Sequence, residues 1–335
     1  MAARARLYLR QDSYGAARRR NCFEMTPSDL KDTLRAAAMS AGACAVGFAR
    51  CEPVDAAVCR SYESWIGEGC HGSMAYLERY PDVRRDPALL LPGARTIMVC
   101  AFPYYDSDEC AGLKLARYAR GDDYHEILRS RLQPVAELLD AEDYGHRICV
   151  DTAPLFERYW ARQAGVGFTG RNRLLIVPGW GSYVFLAEIL TDVEIAPDEP
   201  MERQCDGCGR CVASCPGGAL RASSGFDARR CLSYLTIEHR GELPAEVGGR
   251  PLGPLMGDCV YGCDVCQQVC PHNVGVPETA LEEFRMRPAL RCLSRADIMQ
   301  MDQPTFSAIF RHSAVKRAKL AGLHRNASAL PSGLS

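Results

Sequence analysis

The chain has 335 residues, 47% hydrophobic and 24% charged, with a formal net charge of -1. That is globular composition without a global basic field, so a nucleic-acid partner requires a local patch. No apolar run approaches the roughly 20 residues that span a bilayer, and a chain this long with 18 cysteines is not a small secreted disulfide scaffold.

Residues 1–24 carry Arg4, Arg6, Arg10, Arg18, Arg19 and Arg20 against Asp12 and Glu24 alone, with no apolar segment behind them. They read as a non-core basic leader and not as a secretory signal, and Met25 is expected as the true start. Thr26-Pro27-Ser28-Asp29 then opens a helix over Ser28–Met39, with Leu30, Leu34, Ala37 and Ala38 on one face. Ala43–Phe48 reads as a strand and Val54–Ile66 as a helix ended by the glycines of 67–72. Thr96–Ala101 is a buried strand, Tyr124–Leu139 a helix and His146–Val150 a strand. The turn Asp151–Pro154 leads into a helix from Leu155, with Pro154 near its first position. Leu174–Val177 and Tyr183–Ile189 are expected to pair around Pro178-Gly179-Trp180-Gly181. This alternation implies a layered α/β or α+β domain. Pro197-Asp198-Glu199-Pro200 marks a linker, a cysteine-rich module follows to Asn273, and Asp297–Ala329 is helical with short breaks.

Half of the cysteines are scattered and read as small core residues; the other half lie between Cys205 and Cys270. The run Cys205-Asp206-Gly207-Cys208-Gly209-Arg210-Cys211-Val212-Ala213-Ser214-Cys215-Pro216 is C-x2-C-x2-C-x3-C-P. That spacing belongs to two-cluster ferredoxins and fits a zinc ribbon poorly. A second run, Cys263-Asp264-Val265-Cys266-Gln267-Gln268-Val269-Cys270-Pro271, repeats the pattern without its first cysteine. In such proteins the fourth cysteine crosses to the other cluster. Cys205, Cys208, Cys211 and Cys270 then hold one 4Fe–4S cube; Cys215, Cys263, Cys266 and either Cys231 or Cys259 hold the other. Ligation at this density points to a reducing compartment.

Further motifs are spaced along the chain. They include His71-Gly72-Ser73-Met74-Ala75-Tyr76-Leu77-Glu78, Ala116-Arg117-Tyr118-Ala119-Arg120-Gly121-Asp122-Asp123-Tyr124-His125 and Val150-Asp151-Thr152-Ala153-Pro154-Leu155-Phe156-Glu157-Arg158. Others are Gly170-Arg171-Asn172, Gly181-Ser182, Glu188-Ile189-Leu190-Thr191-Asp192, Cys231-Leu232-Ser233-Tyr234-Leu235-Thr236-Ile237-Glu238 and Gly322-Leu323-His324-Arg325-Asn326-Ala327. Together, over roughly residues 26–328, they resemble the epoxyqueuosine reductase family.

The resemblance implies an α+β fold. A nitroreductase-like cobalamin-binding domain would occupy residues 25–196, a ferredoxin-like module with two 4Fe–4S clusters 197–280, and a short helical basic tail 281–335. It implies reduction of epoxyqueuosine to queuosine at the tRNA wobble base by a cytoplasmic, monomeric enzyme. The partners would be a tRNA anticodon stem-loop and an external donor of the flavodoxin or ferredoxin type, with no membrane. The resemblance favours Cys231 over Cys259 as the last ligand and makes Asp151 the proton donor. Met74, Arg158, Asn172, Ser182, Ser233 and Tyr234 are the expected cofactor contacts. To donate at neutral pH, Asp151 needs a raised pKa. Asp123-Tyr124-His125 lacks the glycine of a D-x-H-x-x-G signature, which fits a corrinoid without a histidine lower ligand. Arg311, His312, Lys316, Arg317, Lys319, His324 and Arg325 form the expected basic patch for tRNA.

The sequence departs from the family's pattern at Arg171, where lysine is usual, at Gly217-Gly218 after the first run, and at the additional Cys259. It also stops soon after Ala327, where many members continue into a helical-repeat extension. The competing readings are another corrinoid iron–sulfur reductase of the dehalogenase type and a plain two-cluster electron carrier.

Overall fold

The structure, a computed structural model, describes residues 26–221 and 225–331; the basic leader and the start expected at Met25 lie outside the described residues. Helix α1, Pro27–Ser40, is capped by Thr26 and starts one residue before the expected Ser28, with Pro27 in its first position. Strand β1, Ala45–Arg50, follows, then α2, Ala56–Gly67, capped by Asp55. Strand β2, Thr96–Pro103, is buried along its whole length. Helix α3, Tyr124–Ala141, is capped by Asp123 and leads to β3, His146–Cys149. A short helix α4, Glu157–Gln163, precedes β4, Val184–Thr191.

These strands form one antiparallel sheet in the order β1-β2-β4-β3. Alternation along β2 sorts the two faces. Met98, Cys100 and Phe102 point at Leu30, Leu34, Leu128, Leu132 and Leu139 of α1 and α3. Ile97, Val99 and Ala101 point at Cys59, Leu155, Trp160 and Ala161 around α2 and α4. Covered on both faces, the central strands read as continuous apolar runs, which is why their positions were plain in the sequence.

Two local expectations fail. The segments around Pro178–Gly181 do not pair with each other. Leu175–Ile176 pairs with Phe168–Thr169, whereas β4 crosses to the centre of the main sheet; only a bridge from Val177 to Gly181 closes the turn. Burial of an eight-residue apolar strand between two others outcompetes a local hairpin. The helix after Pro154 starts at Glu157, because Phe156 (φ -88, ψ 69) is not helical.

The linker proline pair is held in place. Asp198 accepts from the Phe48 amide at 2.9 Å and pairs with Lys31 and Arg35, each at 2.8 Å. Beyond it, the cluster segment and the C-terminal residues share one apolar core. Leu232 and Leu235 on α5, Leu232–Ile237, pack with Val260, Tyr261, Phe306, Phe310, Val315 and Leu323. Leu323 lies on α6, Lys319–Ala329, and Leu113 and Leu115 join the same core. No helix among the described residues is long and apolar enough to cross a membrane.

Candidate active site and cluster sites

Cys205, Cys208, Cys211 and Cys270 line one cavity together with Gly209, Pro271 and His272. The loop that presents the first three bends through Gly207 (φ 70) and Gly209 (φ 73), left-handed positions that a side chain would strain. Arg210–Ala213 then makes a single helical turn that carries Cys211 inward. The second group is Cys215, Cys231, Cys263 and Cys266. Burial pushes the Cys263 thiol up to about 12 and the Cys266 thiol well above its usual value, and the charges of Cys231 and Cys215 add to it in both cases. Cys231 heads α5, where the Ser233 and Tyr234 amides point at its sulfur. Cys259 sits on the short strand Cys259–Tyr261 and directs its Sγ to the Gly262 carbonyl at 3.2 Å. Among the described residues, no three His, Cys, Asp or Glu side chains converge tightly enough for a single metal ion. Four thiols around a cavity suit a wider iron–sulfur cube.

Asp151 lies on the loop between β3 and α4, the tight three-residue turn of which is closed by the Thr152 amide donating to the Val150 carbonyl at 2.5 Å. Its φ is 51, a left-handed value that aspartate tolerates better than most residues. The side chain is 54% exposed and so open to a substrate. Tyr124 Oη donates to Asp151 Oδ2 at 3.0 Å, and His125 Nε2 meets the same oxygen at 3.0 Å. The opposite ring nitrogen, Nδ1, faces Asp123 at 2.7 Å. Beneath the loop, the Asp151 amide donates to Glu157 Oε1 at 2.8 Å.

The electrostatics correct one expectation. Burial opposes the charged form of Asp151, but the bond to His125, the charge of its ring, the Tyr124 hydroxyl and Arg158 outweigh it. They hold the carboxyl below the usual carboxylate range, not above it. Burial likewise disfavours the imidazolium of His125, yet Asp123 and Asp151 push it up to about 9. Burial, with the charge of Asp151, pushes Glu157 up to about 7. At neutral pH, His125 and a large fraction of Glu157 carry protons, while Asp151 is a carboxylate between them.

The expected cofactor contacts separate into groups. Asn172 is buried at the cavity of the first four thiols, and its Nδ2 has no hydrogen-bond partner among the described residues. Ser182 is committed elsewhere: its Oγ donates to Gln267 at 3.0 Å and accepts from Asn273 Nδ2 at 2.9 Å. It clasps the sheet domain to Gln267 of the second cysteine run and to Asn273 just after that run. Tyr234 Oη accepts from the Ser73 amide at 2.8 Å, beside Gly72, where a Cβ would stand 2.5 Å from that hydroxyl oxygen. Tyr234 thus locks the turn that carries Met74, which is partly buried against the cluster-module core. Ser233 lies beside the Cys231 sulfur. Arg158 is exposed and forms no ion pair among the described residues.

The basic tail is less available than its composition suggests. Arg317 makes a two-pronged pair with Glu238 at 2.8 and 2.7 Å. Arg325 donates to the Leu235, His239 and Gly241 carbonyls. His324 meets the Met301 carbonyl at 3.1 Å, and His312 pairs with Glu126 at 2.8 Å. Lys316 and Lys319 remain without a partner among the described residues.

Sequence reasoning missed Tyr124, His125, Glu157 and Glu188 as neighbours of Asp151. It also missed Asp264, which is buried and accepts from the Arg117 amide at 2.7 Å next to the second thiol group. Each stood inside a quoted motif, but the meeting of Tyr124 and His125 with the Asp151 carboxylate joins segments some 26 residues apart.

Comparison with known proteins agrees with this layout. The family described as "Epoxyqueuosine reductase QueG, DUF1730" matches residues 84–152. The family described as "4Fe-4S double cluster binding domain" matches residues 204–273. An epoxyqueuosine reductase from Cellulophaga algicola is 33% identical over 90% of this chain and 98% of its own length. One from Vibrio cholerae is 36% identical over 82% of this chain and 74% of its own. A crystal structure of epoxyqueuosine reductase with an epoxyqueuosine-modified tRNA-Tyr stem loop superposes with a TM-score of 0.82 at 30% identity, covering 91% of this chain and 81% of that one. The enzyme from Bacillus subtilis, solved with its catalytic aspartate loop swung out of the active site, superposes with a TM-score of 0.82 at 29% identity, covering 91% and 81%. On sequence, fold and cluster-binding segment alike, this chain belongs to the epoxyqueuosine reductase family.

Proposed function

We propose that this protein reduces epoxyqueuosine to queuosine at the wobble base of tRNA, using two 4Fe–4S clusters and cobalamin. The observation that carries this reading is an exposed carboxylate, Asp151, wired to proton-bearing neighbours in the same fold as two four-thiol groups. The relative crystallised with a modified tRNA stem loop supports the substrate class.

Cys205, Cys208, Cys211 and Cys270 would hold one cluster, and Cys215, Cys231, Cys263 and Cys266 the other. The crossing of Cys215 and Cys270 between the two runs would tie both cubes to one small module, which suits the passage of electrons between them. Electrons would enter singly from a donor of the flavodoxin or ferredoxin type. Bound cobalamin would supply the strong reductant or nucleophile that the clusters alone do not. The residues suit such a group: His125 has both ring nitrogens engaged by carboxylates, so it is not offered as a lower ligand. The orphaned Nδ2 of Asn172 and the unpaired Arg158 are donors that fit its amide and phosphate periphery. Met74, Ser233 and Tyr234 would border the pocket from the cluster side.

In this scheme Asp151 delivers a proton to the departing epoxide oxygen. It reaches the substrate only if the base leaves its stack. Since the resting carboxyl is charged, it must first take a proton from a neighbour, and His125 at 3.0 Å is placed to share one. Lys316 and Lys319 are the free cations best suited to RNA phosphates, and they act without sequence preference. We further take the protein to be a cytoplasmic monomer whose first domain ends near residue 196, while the residues expected as a separate tail from 281 onward pack into the core of the cluster module.

The test is anaerobic reconstitution with cobalamin and a low-potential reductant, followed by mass analysis of epoxyqueuosine-containing tRNA. Loss of one oxygen from the modified base is expected. Protein that holds both clusters and corrinoid yet leaves the tRNA mass unchanged would defeat the proposal.

A further inference from the structure

Tyr76 is 42% exposed in the short 3-10 turn Ala75–Glu78. A single open aromatic is ordinary on a protein surface and by itself means nothing. This one, however, is held rigidly from both sides. Before it, the Ser73 amide donates to Tyr234 Oη at 2.8 Å. After it, Tyr62 Oη donates to the Leu77 carbonyl at 2.7 Å, and His71 Nε2 meets Glu78 Oε1 at 2.8 Å. An exposed ring on a fixed backbone loses little freedom when a ligand covers it.

One face of the ring is already taken. The Arg317 guanidinium lies over it, 5.5 Å from the centroid, and is itself fixed by the two-pronged pair with Glu238. Such a cation leaves the opposite face for a second flat partner.

The ring also stands on the Asp151 side of the molecule. Tyr124, which donates to Asp151, meets Tyr118 at 6.3 Å, and Tyr118 meets Tyr261 at 6.3 Å. Tyr261 Oη donates at 2.8 Å to the carbonyl of Ala314, which shares the short segment Ala314–Ala318 with Arg317. Asp151 acts on the Tyr76 hydroxyl together with Glu238 and Arg317. Yet the Asp151 carboxylate takes its hydrogen bonds from Tyr124 and His125, so Tyr76 sits to the side of the reacting oxygen. Burial pushes the Tyr76 hydroxyl up to about 12, so at neutral pH it is an uncharged phenol and not a second acid.

A rigid aromatic face beside a carboxylate that must reach one base of a single-stranded loop fits a nucleobase. Unstacked loop bases pack on such rings in RNA recognition, whatever their identity. The modified base is committed to Asp151, which its epoxide oxygen must meet. When that base swings out, its neighbour in the loop loses a stacking partner.

We propose that Tyr76, backed by Arg317, stacks an anticodon-loop base next to the modified one and so positions the substrate at Asp151. This rests on the reductase reading given above, and the test separates the two.

Two stem loops, with 2-aminopurine on one or the other side of the wobble position, report stacking as loss of fluorescence. Holoprotein should quench at least one of them. Tyr76→Ala should keep iron, sulfide and corrinoid, lose that quenching and weaken stem-loop binding by about tenfold. Its KM for epoxyqueuosine-containing tRNA should rise by a similar factor while kcat moves little. Tyr76→Phe should match the wild type throughout, because the ring and not the hydroxyl does the stacking. Tyr76→Leu, apolar but not flat, should behave as Tyr76→Ala does. Wild-type binding without quenching would overturn the proposal and leave the reductase intact. So would unaltered quenching and affinity in Tyr76→Ala, or an equal loss in Tyr76→Phe. Wild-type protein that binds neither stem loop, or that leaves the modified tRNA unreduced, would instead sink the underlying reading.

Discussion

The imidazole of His125 offers the sharpest check on the electrostatics at Asp151. Its shift from 6.5 to about 9 corresponds to roughly 3 kcal/mol of preference for the charged ring, at about 1.4 kcal/mol per unit. Burial acts against that preference, so two carboxylates must supply it. Asp123 is 2.7 Å away and 24% exposed, whereas Asp151 is 3.0 Å away and 54% exposed. The closer and better shielded Asp123 should carry the larger share. Asp151→Asn should therefore lower the His125 value by about one unit, and Asp123→Asn by more. The raised value also sets a sign: the ion pairs stabilise the loop fully below about 6.5 and are lost as pH rises through about 9. Asp151, lowered, keeps its part until pH falls through its own folded value. Nuclear magnetic resonance of protein carrying labelled histidine reads this directly, since the chain has only 7 histidines and His125→Gln assigns the signal. A ring that titrates near 6.5, or one indifferent to Asp151→Asn, would refute the reasoning. It would leave the ring as a packing group stacked on Tyr124 at 4.1 Å.

Other perturbations separate the roles of individual residues. Cys231→Ala should lose about half of the protein's iron and sulfide, whereas Cys259→Ala should lose none; the reverse in a colorimetric iron and sulfide assay would exchange their assignment. Asp151→Ala should retain both clusters and corrinoid by absorbance but lose at least about a hundredfold in turnover; near-normal product by mass analysis would remove it from the chemistry. Ser182→Ala leaves Gln267 and Asn273 without a shared partner and should cost about 1–3 kcal/mol, seen as a lower urea midpoint. Unchanged resistance to urea would mean that the clasp between domain and cluster segment contributes nothing.

Much of this protein is written locally. The spacing of Cys205, Cys208, Cys211 and Cys215 is enough to prescribe a cluster loop, because that loop needs its thiolates and glycines a fixed few bonds apart. Helices such as Pro27–Ser40 and strands such as Thr96–Pro103 are likewise legible, since caps and continuous apolar runs act over neighbouring residues. The place of Asp151 in a motif was visible too, but its charge state was not. That state depends on His125 and Tyr124 arriving from α3 and on Glu157 from α4. Ser182 shows the same limit, since its partners Gln267 and Asn273 lie about 90 residues onward. The basic tail is the converse case: Arg317 and Arg325 read as free cations until folding sets Glu238 and the carbonyls of α5 against them. Spacing along a chain fixes which atoms can share a short loop. Burial, pairing and proton affinity depend on the distances between remote segments, and only the closed tertiary structure sets those.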